Sequence, residues 1–246
     1  MNETLNTIFS RKSVRAFTDR EISQEDKLTI LKAAASSPTA GNQQLYTVLD
    51  ITDPALKARL ADTCDHQPFI AEAKMILIFC ADCSKWYRAF KDAGCSPRAP
   101  GAGDLLLAAS DANSAAQTAV LAAESLGIGS CYIGDIMENC EVHRDLLHLP
   151  EYVFPAAMLV FGYPTEQQRS RVSPSRAPLD RIVSENAYPG MDSEYLRSLF
   201  ADKAGIKPYE AWMQAFCERK YNSDFAREMS RSVWEYLRQF TPEEKA

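Results

Sequence analysis

The sequence predicts a chain in which helices alternate with short apolar strands, an α/β or α+β fold rather than an all-helical bundle. Two apolar runs, Met75–Cys80 and Val153–Phe161, read as buried strands, and an alanine-rich run from Leu105 to Leu126 reads as one long helix of about 33 Å. The Ala, Ser and Gly residues of that run let a neighbouring backbone approach closely, which suits a central core or interface helix.

From the N-terminus, Asn2–Phe9 has the pattern of a short helix, and the polar, basic stretch Ser10–Arg20 follows it. Ser23, with Asp26 three residues on, resembles a capping box. The helix it opens, Gln24–Ser36, is expected to pack along Leu28, Leu31 and Ala35 and to stop before Pro38. Pro38–Gln44 is small, polar and turn-competent, and it feeds an extended stretch, Leu45–Ile51. Asp53 is an N-cap with Pro54 at the first helical position, opening a helix to Ala61. A short helical piece near Phe69–Ala73 precedes the Met75 strand. Between Asp82 and Asp104 a helix with Trp86, Tyr87 and Phe90 gives way to an irregular loop, Cys95–Gly101, where a pocket lid could sit. After the alanine-rich helix, Gly127 ends it and Ile128–Gly134 enters a short strand or turn. A helix over Glu141–Leu147 then leads to the Val153 strand.

Beyond Gly162 the character changes. Gly162–Tyr188 sets Arg169, Arg171, Arg176 and Arg181 among prolines and serines, and Ser193–Ala204, Tyr209–Lys220 and Phe225–Gln239 are helical in pattern. Such a shift marks a domain boundary or an arm that wraps a partner subunit. The expected division is residues 1–190 for the main domain and residues 191–246 for a C-terminal helical extension packed on that domain or on a partner.

With 46% apolar and 24% charged residues in 246, wholesale disorder and a membrane protein both fit poorly, and no apolar run approaches the roughly 20 residues a span requires. The N-terminal MNETLNTIF has no secretory pattern, so a cytoplasmic location is expected. A net charge of -6 provides no general field for nucleic acid. Seven cysteines, an odd number spread along the chain, suit free thiols in a reducing compartment.

Two constellations could carry chemistry. Arg11-Lys12-Ser13-Val14-Arg15 puts three cations and a hydroxyl within five residues, enough to hold a phosphate at roughly 1.5–3 kcal/mol per charged hydrogen bond before desolvation. Taken alone it equally describes a solvated face. Pro38–Gln44 offers Asn42 and Gln44, whose amides supply both donors and acceptors, but a helix-to-strand turn would use the same residues without a ligand. Cys80-x-x-Cys83 begins inside an apolar strand and reads as structural, and His66, His143 and His148 lack the convergent spacing of a metal site.

The order of these motifs carries a resemblance. A basic Arg/Lys-Ser-x-Arg segment, Pro-Thr-Ala-Gly-Asn-x-Gln at residues 38–44, Gly-Ile-Gly-x-x-Tyr-Ile-Gly at residues 127–134, and the later Pro174–Pro178 and Glu185–Tyr188 segments together resemble the nitroreductase family. The branch that includes NADPH-flavin oxidoreductases is the most similar. The resemblance covers Thr4 to Tyr188. It implies an α+β nitroreductase-like sandwich, a mostly antiparallel central sheet flanked by helices, homodimeric over a large surface.

It also implies noncovalent FMN shared between subunits, with NADPH or NADH as donor and a small-molecule acceptor such as a nitroaromatic, quinone or flavin, reacting in ping-pong order. On this resemblance Arg11, Lys12, Ser13 and Arg15 contact the phosphate or its polar edge, and Arg176 matches a late phosphate-binding arginine. Thr39, Ala40, Gly41, Asn42 and Gln44 match the flavin-lining run, reaching the partner's cofactor, and Gln67 matches a ring- or ribityl-bonding position. The backbone of Tyr132, Ile133 and Gly134 would lie beside the ring, with Gly129 and Gly134 permitting close approach. No catalytic side chain or metal is implied, because the cofactor carries the chemistry. Departures are Pro174 where the branch has lysine, Leu45 where many members have proline, and Arg11-Lys12 in place of His-Arg. The basic residues from Arg169 to Arg181, with Arg197, could meet a dinucleotide's phosphates. Phe69, Trp86, Tyr87 and Phe90 could shape the substrate face. A reductive dehalogenase-type flavoenzyme of the same fold, or a non-enzymatic flavin-binding dimer, are the alternatives.

Overall fold

The structure, a computed structural model, describes residues 1–241. Two compact units divide the chain: Met1–Arg171 together with the chain from Met229, and Val172–Glu228. The chain passes from one unit to the other after Arg171 and back after Glu228.

The larger unit is built on a four-stranded sheet of β1 (Tyr46–Ile51), β2 (Met75–Asp82), β3 (Gly129–Ile133) and β4 (Val153–Gly162), in the order β1-β2-β4-β3. All three pairings are antiparallel, as expected. Both central strands, β2 and β4, are buried along their whole length. Pro155 cannot donate to a ladder, and it is tolerated in a central strand because the register with β2 slips there, between Phe79 and Cys80. Pairing with β3 begins only at Met158.

Alternation along the strands separates two cores. Leu77, Phe79, Leu159 and Phe161 face one side, where they pack with Ile30, Ala112, Ala116, Tyr236 and Phe240. Ile76, Ile78, Met158 and Val160 face the other, with Leu60, Cys64, Ile70 and Ile136. The first core is organised by the long helix α6 (Ala102–Ser125), whose Ala108, Ala112, Ala115, Ala116, Ala119 and Ala123 are fully buried. A stripe of methyl groups lets α6 lie close to both the sheet and α2 (Gln24–Ala35). α2 starts at Ser23, whose hydroxyl accepts from the Asp26 N–H, but it buries Ile30 and Ala34. The expected stripe is corrected here: Leu28 is exposed, Leu31 only partly buried and Ala35 exposed. Both stripes have helical spacing, and contact with α6 selects between them.

The remaining helices of this unit are α1 (Glu3–Ser10), α3 (Pro54–Thr63), α4 (Pro68–Glu72), α5 (Ser84–Asp92), α7 (Cys140–Leu146) and α8 (Glu166–Ser170). The short α8, capped by the Thr165 hydroxyl, falls in a stretch that composition reads as irregular. The smaller unit carries α9 (Ser193–Ala204) and α10 (Tyr209–Lys220), joined by an Arg197–Glu210 ion pair, and the start of α11 (Asp224–Leu237). From Met229 onward α11 packs in the larger unit, where Ser232 accepts from the Cys140 N–H at 2.9 Å and Arg231 forks onto Glu141. Among the described residues no helix is long and apolar enough to cross a membrane.

Candidate functional site

After α1 the chain turns extended at Arg11 and runs beside the edge strand β3. Ser13 forms a parallel bridge to Ser130, and the Val14 N–H donates to the Ser130 carbonyl at 2.9 Å. A Cβ on Gly129 would come within 2.6 Å of Val14 Cγ2, so only glycine admits the buried Val14 here. The close approach expected of Gly129 is therefore made by the chain's own Val14. Gly134 instead faces open space.

Burial raises the pKa of the Cys131 thiol, opposed by Arg15, the Ser13 hydroxyl and Arg11, and the thiol itself donates to the Tyr132 carbonyl at 3.4 Å. Lys12, which shares the acid Glu124 with Arg11, also reaches α8. Its Nζ donates to the carbonyls of Arg169 at 2.6 Å and Arg171 at 2.5 Å, closing the end of α8, beside a cleft of about 280 Å³ shared with Glu124 and Gln168. Neither Arg11 nor Arg15 has a carboxylate partner in an ion pair among the described residues. Next along β3, Ile133 is buried and Tyr132 is exposed, its hydroxyl donating to Gln117 Oε1 at 3.3 Å. Burial pushes the Tyr132 phenol up to about 12 against the pull of Arg11, so it remains protonated at neutral pH.

The loop from Thr39 to Leu45 is held from two sides. Asp111, buried in the middle of α6, accepts from the Thr39 hydroxyl, from the Ala40 N–H at 3.0 Å and from the Leu45 N–H at 3.2 Å. Thr39 Oγ1 in turn accepts from the Gln44 N–H at 2.8 Å. From the opposite side α5 supplies donors to the loop's carbonyls: Trp86 Nε1 to Gln43 at 2.9 Å, and Lys85 Nζ to Gln44 at 3.3 Å and Tyr46 at 2.6 Å. Asp82, itself buried, anchors the start of α5 by accepting from Ser84 and Lys85. This bracing matters because Gly41, Asn42 and Gln44 all have left-handed φ values, 56°, 56° and 49°. The two that are not glycine cost about 1–3 kcal/mol each unless the surroundings enforce them. The Gln44 amide bonds the Ala35 carbonyl, while Asn42 is exposed.

Gln67 caps α4 after a second strained turn, with Asp65 and His66 both left-handed, and its amide donates to the Cys64 carbonyl at 2.8 Å. Behind it His143 is fully buried, Nε2 against the Thr63 hydroxyl at 2.8 Å and Nδ1 against the Ile136 carbonyl at 3.0 Å. Burial lowers its pKa. Cys80 and Cys83 are both buried thiols pushed up to about 12 by burial, so neither is a nucleophile at neutral pH. Arg176 is an exposed residue of the smaller unit.

A cleft of about 310 Å³ lies alongside the braced loop, between Gln43 and Leu45, the Trp86, Tyr87 and Phe90 face of α5, and the Pro97–Pro100 turn. These aromatics, read from sequence as either core or substrate-facing, line it half exposed. Asp111, Lys85 and Asp82 were not singled out by the sequence. The signal for Asp111 was there: it is a carboxylate on the apolar stripe of α6, three residues after Ala108 and four before Ala115. The two polar groupings sit far apart on that helix. Asp111 marks the loop, Glu124 is the acid that feels Arg11 and Lys12, and the axial rise from 111 to 124 is about 20 Å.

The nitroreductase family profile matches residues 8–163. An FMN reductase [NAD(P)H] of Bacillus subtilis is 32% identical over 238 residues, covering 96% of this chain and 91% of that protein. An oxygen-insensitive NADPH nitroreductase of Salmonella typhimurium is 33% identical over 196 residues, covering 80% and 79%. The crystal structure of nitroreductase A from Vibrio parahaemolyticus superposes with a TM-score of 0.82 at 27% identity, covering 97% of each chain. The chain belongs to the nitroreductase family of oxidoreductases and has its α+β sandwich fold.

Proposed function

We propose that this member of the nitroreductase family is an FMN-dependent NAD(P)H oxidoreductase, working in the cytoplasm as a homodimer with two shared sites. The observation that carries the reading is the Arg11–Arg15 segment fixed to β3: among the described residues neither guanidinium makes an ion pair with a carboxylate, and Ser13 adds a hydroxyl between them. That donor set suits a phosphate monoester, which two arginine forks and a hydroxyl can hold by charge-assisted hydrogen bonds. The names of the relatives point the same way, one to FMN and both to a nicotinamide donor.

When bound, FMN would supply the two-electron redox chemistry between an NADPH or NADH donor and a nitroaromatic, quinone or flavin acceptor, in ping-pong order. The chain's part is to bind and orient. Arg11, Ser13 and Arg15 hold the phosphate. The Tyr132-Ile133-Gly134 backbone offers an open edge at Gly134, where nothing would obstruct even an added Cβ. Thr39, Ala40, Gly41, Asn42, Gln44 and Gln67 line the ring and ribityl chain, with Asn42 exposed for contact. No side chain is needed as a nucleophile.

Two observations support the shared, dimeric arrangement. Glu124, which feels Arg11 and Lys12, and Asp111, which braces the loop, are about 20 Å apart along α6, which suits two half-sites completed by a second copy. Large apolar side chains are also exposed on α1 and α6, with Phe9 67%, Leu106 72% and Leu107 53% accessible, a pattern that marks an interaction surface. The test is the visible spectrum of the purified protein with FMN, before and after anaerobic NADPH. A flavin band that bleaches on mixing is expected; protein that takes up no flavin would overturn the reading.

A further inference from the structure

We infer that His143 is a positioning residue for the proposed flavin site, holding, through the Thr63 hydroxyl, the turn from which Gln67 presents its side-chain amide to the cofactor. The inference deepens the proposed function and rests on it for the identity of the ligand at Gln67.

The turn between α3 and α4 is not one the chain adopts by default. Asp65 and His66 both have left-handed φ values, 60° and 49°, and residues with a Cβ keep such angles only where the surroundings enforce them. Part of that enforcement is local: the His66 N–H donates to the Asp62 carbonyl at 3.2 Å, and the Gln67 N–H to the Ala61 carbonyl at 2.9 Å. The rest comes from far along the chain, where two residues at the start of α7 grip Thr63, the last residue of α3. Asn139 Nδ2 donates to the Thr63 carbonyl at 3.0 Å, and His143 Nε2 lies 2.8 Å from the Thr63 hydroxyl.

The protons of this contact follow from the chemistry of its partners. The Ile136 carbonyl, 3.0 Å from Nδ1, can only accept, so Nδ1 carries the ring proton. Burial keeps the ring neutral at pH 7, which makes Nε2 an acceptor and the Thr63 hydroxyl its donor. His143 is fully buried, so without that hydroxyl Nε2 keeps only the Cys64 thiol, a weak donor 4.0 Å away.

The same contacts reach Gln67 through Cys64, the neighbour of Thr63. Gln67 Nε2 donates to the Cys64 carbonyl at 2.8 Å. A side-chain amide has two N–H groups and a carbonyl oxygen, so this bond fixes its plane and leaves an acceptor beside a donor, a pair that suits the alternating groups on a flavin's pyrimidine edge. A shift of Thr63 away from His143 therefore moves the anchor of the Gln67 amide.

The test is a double-mutant cycle in FMN affinity, read by flavin fluorescence on the full chain. T63V removes the hydroxyl, T63S keeps it, H143L removes the ring nitrogens and Q67A removes the amide. T63V and H143L are each expected to raise the Kd about tenfold and T63S to leave it within about twofold, and both weakenings should vanish in the Q67A background because the pair acts through Gln67. In flavin-free protein, hydrogen exchange at the Gln67 N–H should quicken in T63V and not in T63S. Circular dichroism checks each fold, and T63V completes the cycle if H143L does not fold. A T63V protein that is less stable yet binds FMN unchanged, or one weakened equally with and without the Gln67 side chain, overturns this role and leaves the proposed function standing. Unsubstituted protein that takes up no flavin overturns both.

Discussion

The Arg11–Arg15 segment and the Thr39–Leu45 loop are both polar connections, yet they use their polar groups in opposite ways. The loop turns its groups inward: its N–H groups go to Asp111, its carbonyls to Lys85 and Trp86, and the strain at Asn42 and Gln44 is held by that bracing. The segment ties its backbone to β3 through Val14 and to α8 through Arg15, and among the described residues Arg11 and Arg15 make no ion pair with a carboxylate. One region is shaped in advance by the chain; the other is the charge surface proposed above to hold a ligand's phosphate. Substitutions should accordingly cost stability in the loop and ligand affinity in the segment.

The largest effect is expected at Asp111. Asp111→Ala strands the Ala40 and Leu45 N–H groups and the Thr39 hydroxyl, each worth about 1–3 kcal/mol when buried without a partner, so denaturant unfolding should show a loss of at least about 3 kcal/mol. Next is Gly129→Ala, whose Cβ would strike Val14 and lift the segment off β3. A loss of about 1–3 kcal/mol is expected, relieved in the G129A/V14A double variant, and a non-additive cycle is the check. Lys12→Met removes two charged hydrogen bonds to the end of α8 and should cost about 1–2 kcal/mol in unfolding measurements. Its FMN affinity should change far less than that of R11A/R15A, which should keep its melting temperature and lose FMN affinity by about 100-fold or more in a fluorescence titration. If R11A/R15A unfolds instead, the contrast between the two regions is wrong.

A smaller effect sharpens the contrast on a third group, His143. Burial holds its folded pKa below the ordinary 6.5, so the unfolded chain binds the proton more tightly. Stability should therefore be fullest above pH 6.5 and fall as pH drops from there toward the folded pKa. His143→Gln, less stable at pH 7, should lose that slope in melting temperature against pH. A slope left intact would place the titration elsewhere.

Much of the fold was legible because period and punctuation agree with the tertiary outcome: the Met75 and Val153 strands, the alanine helix and the caps at Ser23 and Asp53 all form where the sequence puts them. The failures have physical causes. On α2, two stripes had equal helical spacing, and only contact with α6 chose Ile30 and Ala34 over Leu28 and Ala35. The carbonyl partners of Lys12 lie 157 and 159 positions along the chain, so no local pattern names them. Asp111 acts across 66 to 72 positions of chain, a partnership no local pattern encodes, although its place on an apolar stripe was a signal.

The central claim is that each site joins the segment of one chain to the loop of another. Co-expression of R11A/R15A with D111N, each defective alone, tests it most directly by FMN content and NADPH bleaching. Shared sites predict recovery, because a mixed dimer contains one site built from an intact segment and an intact loop; random pairing gives roughly a quarter of all sites. No recovery, in mixed dimers shown to form, would mean that each site lies within a single chain.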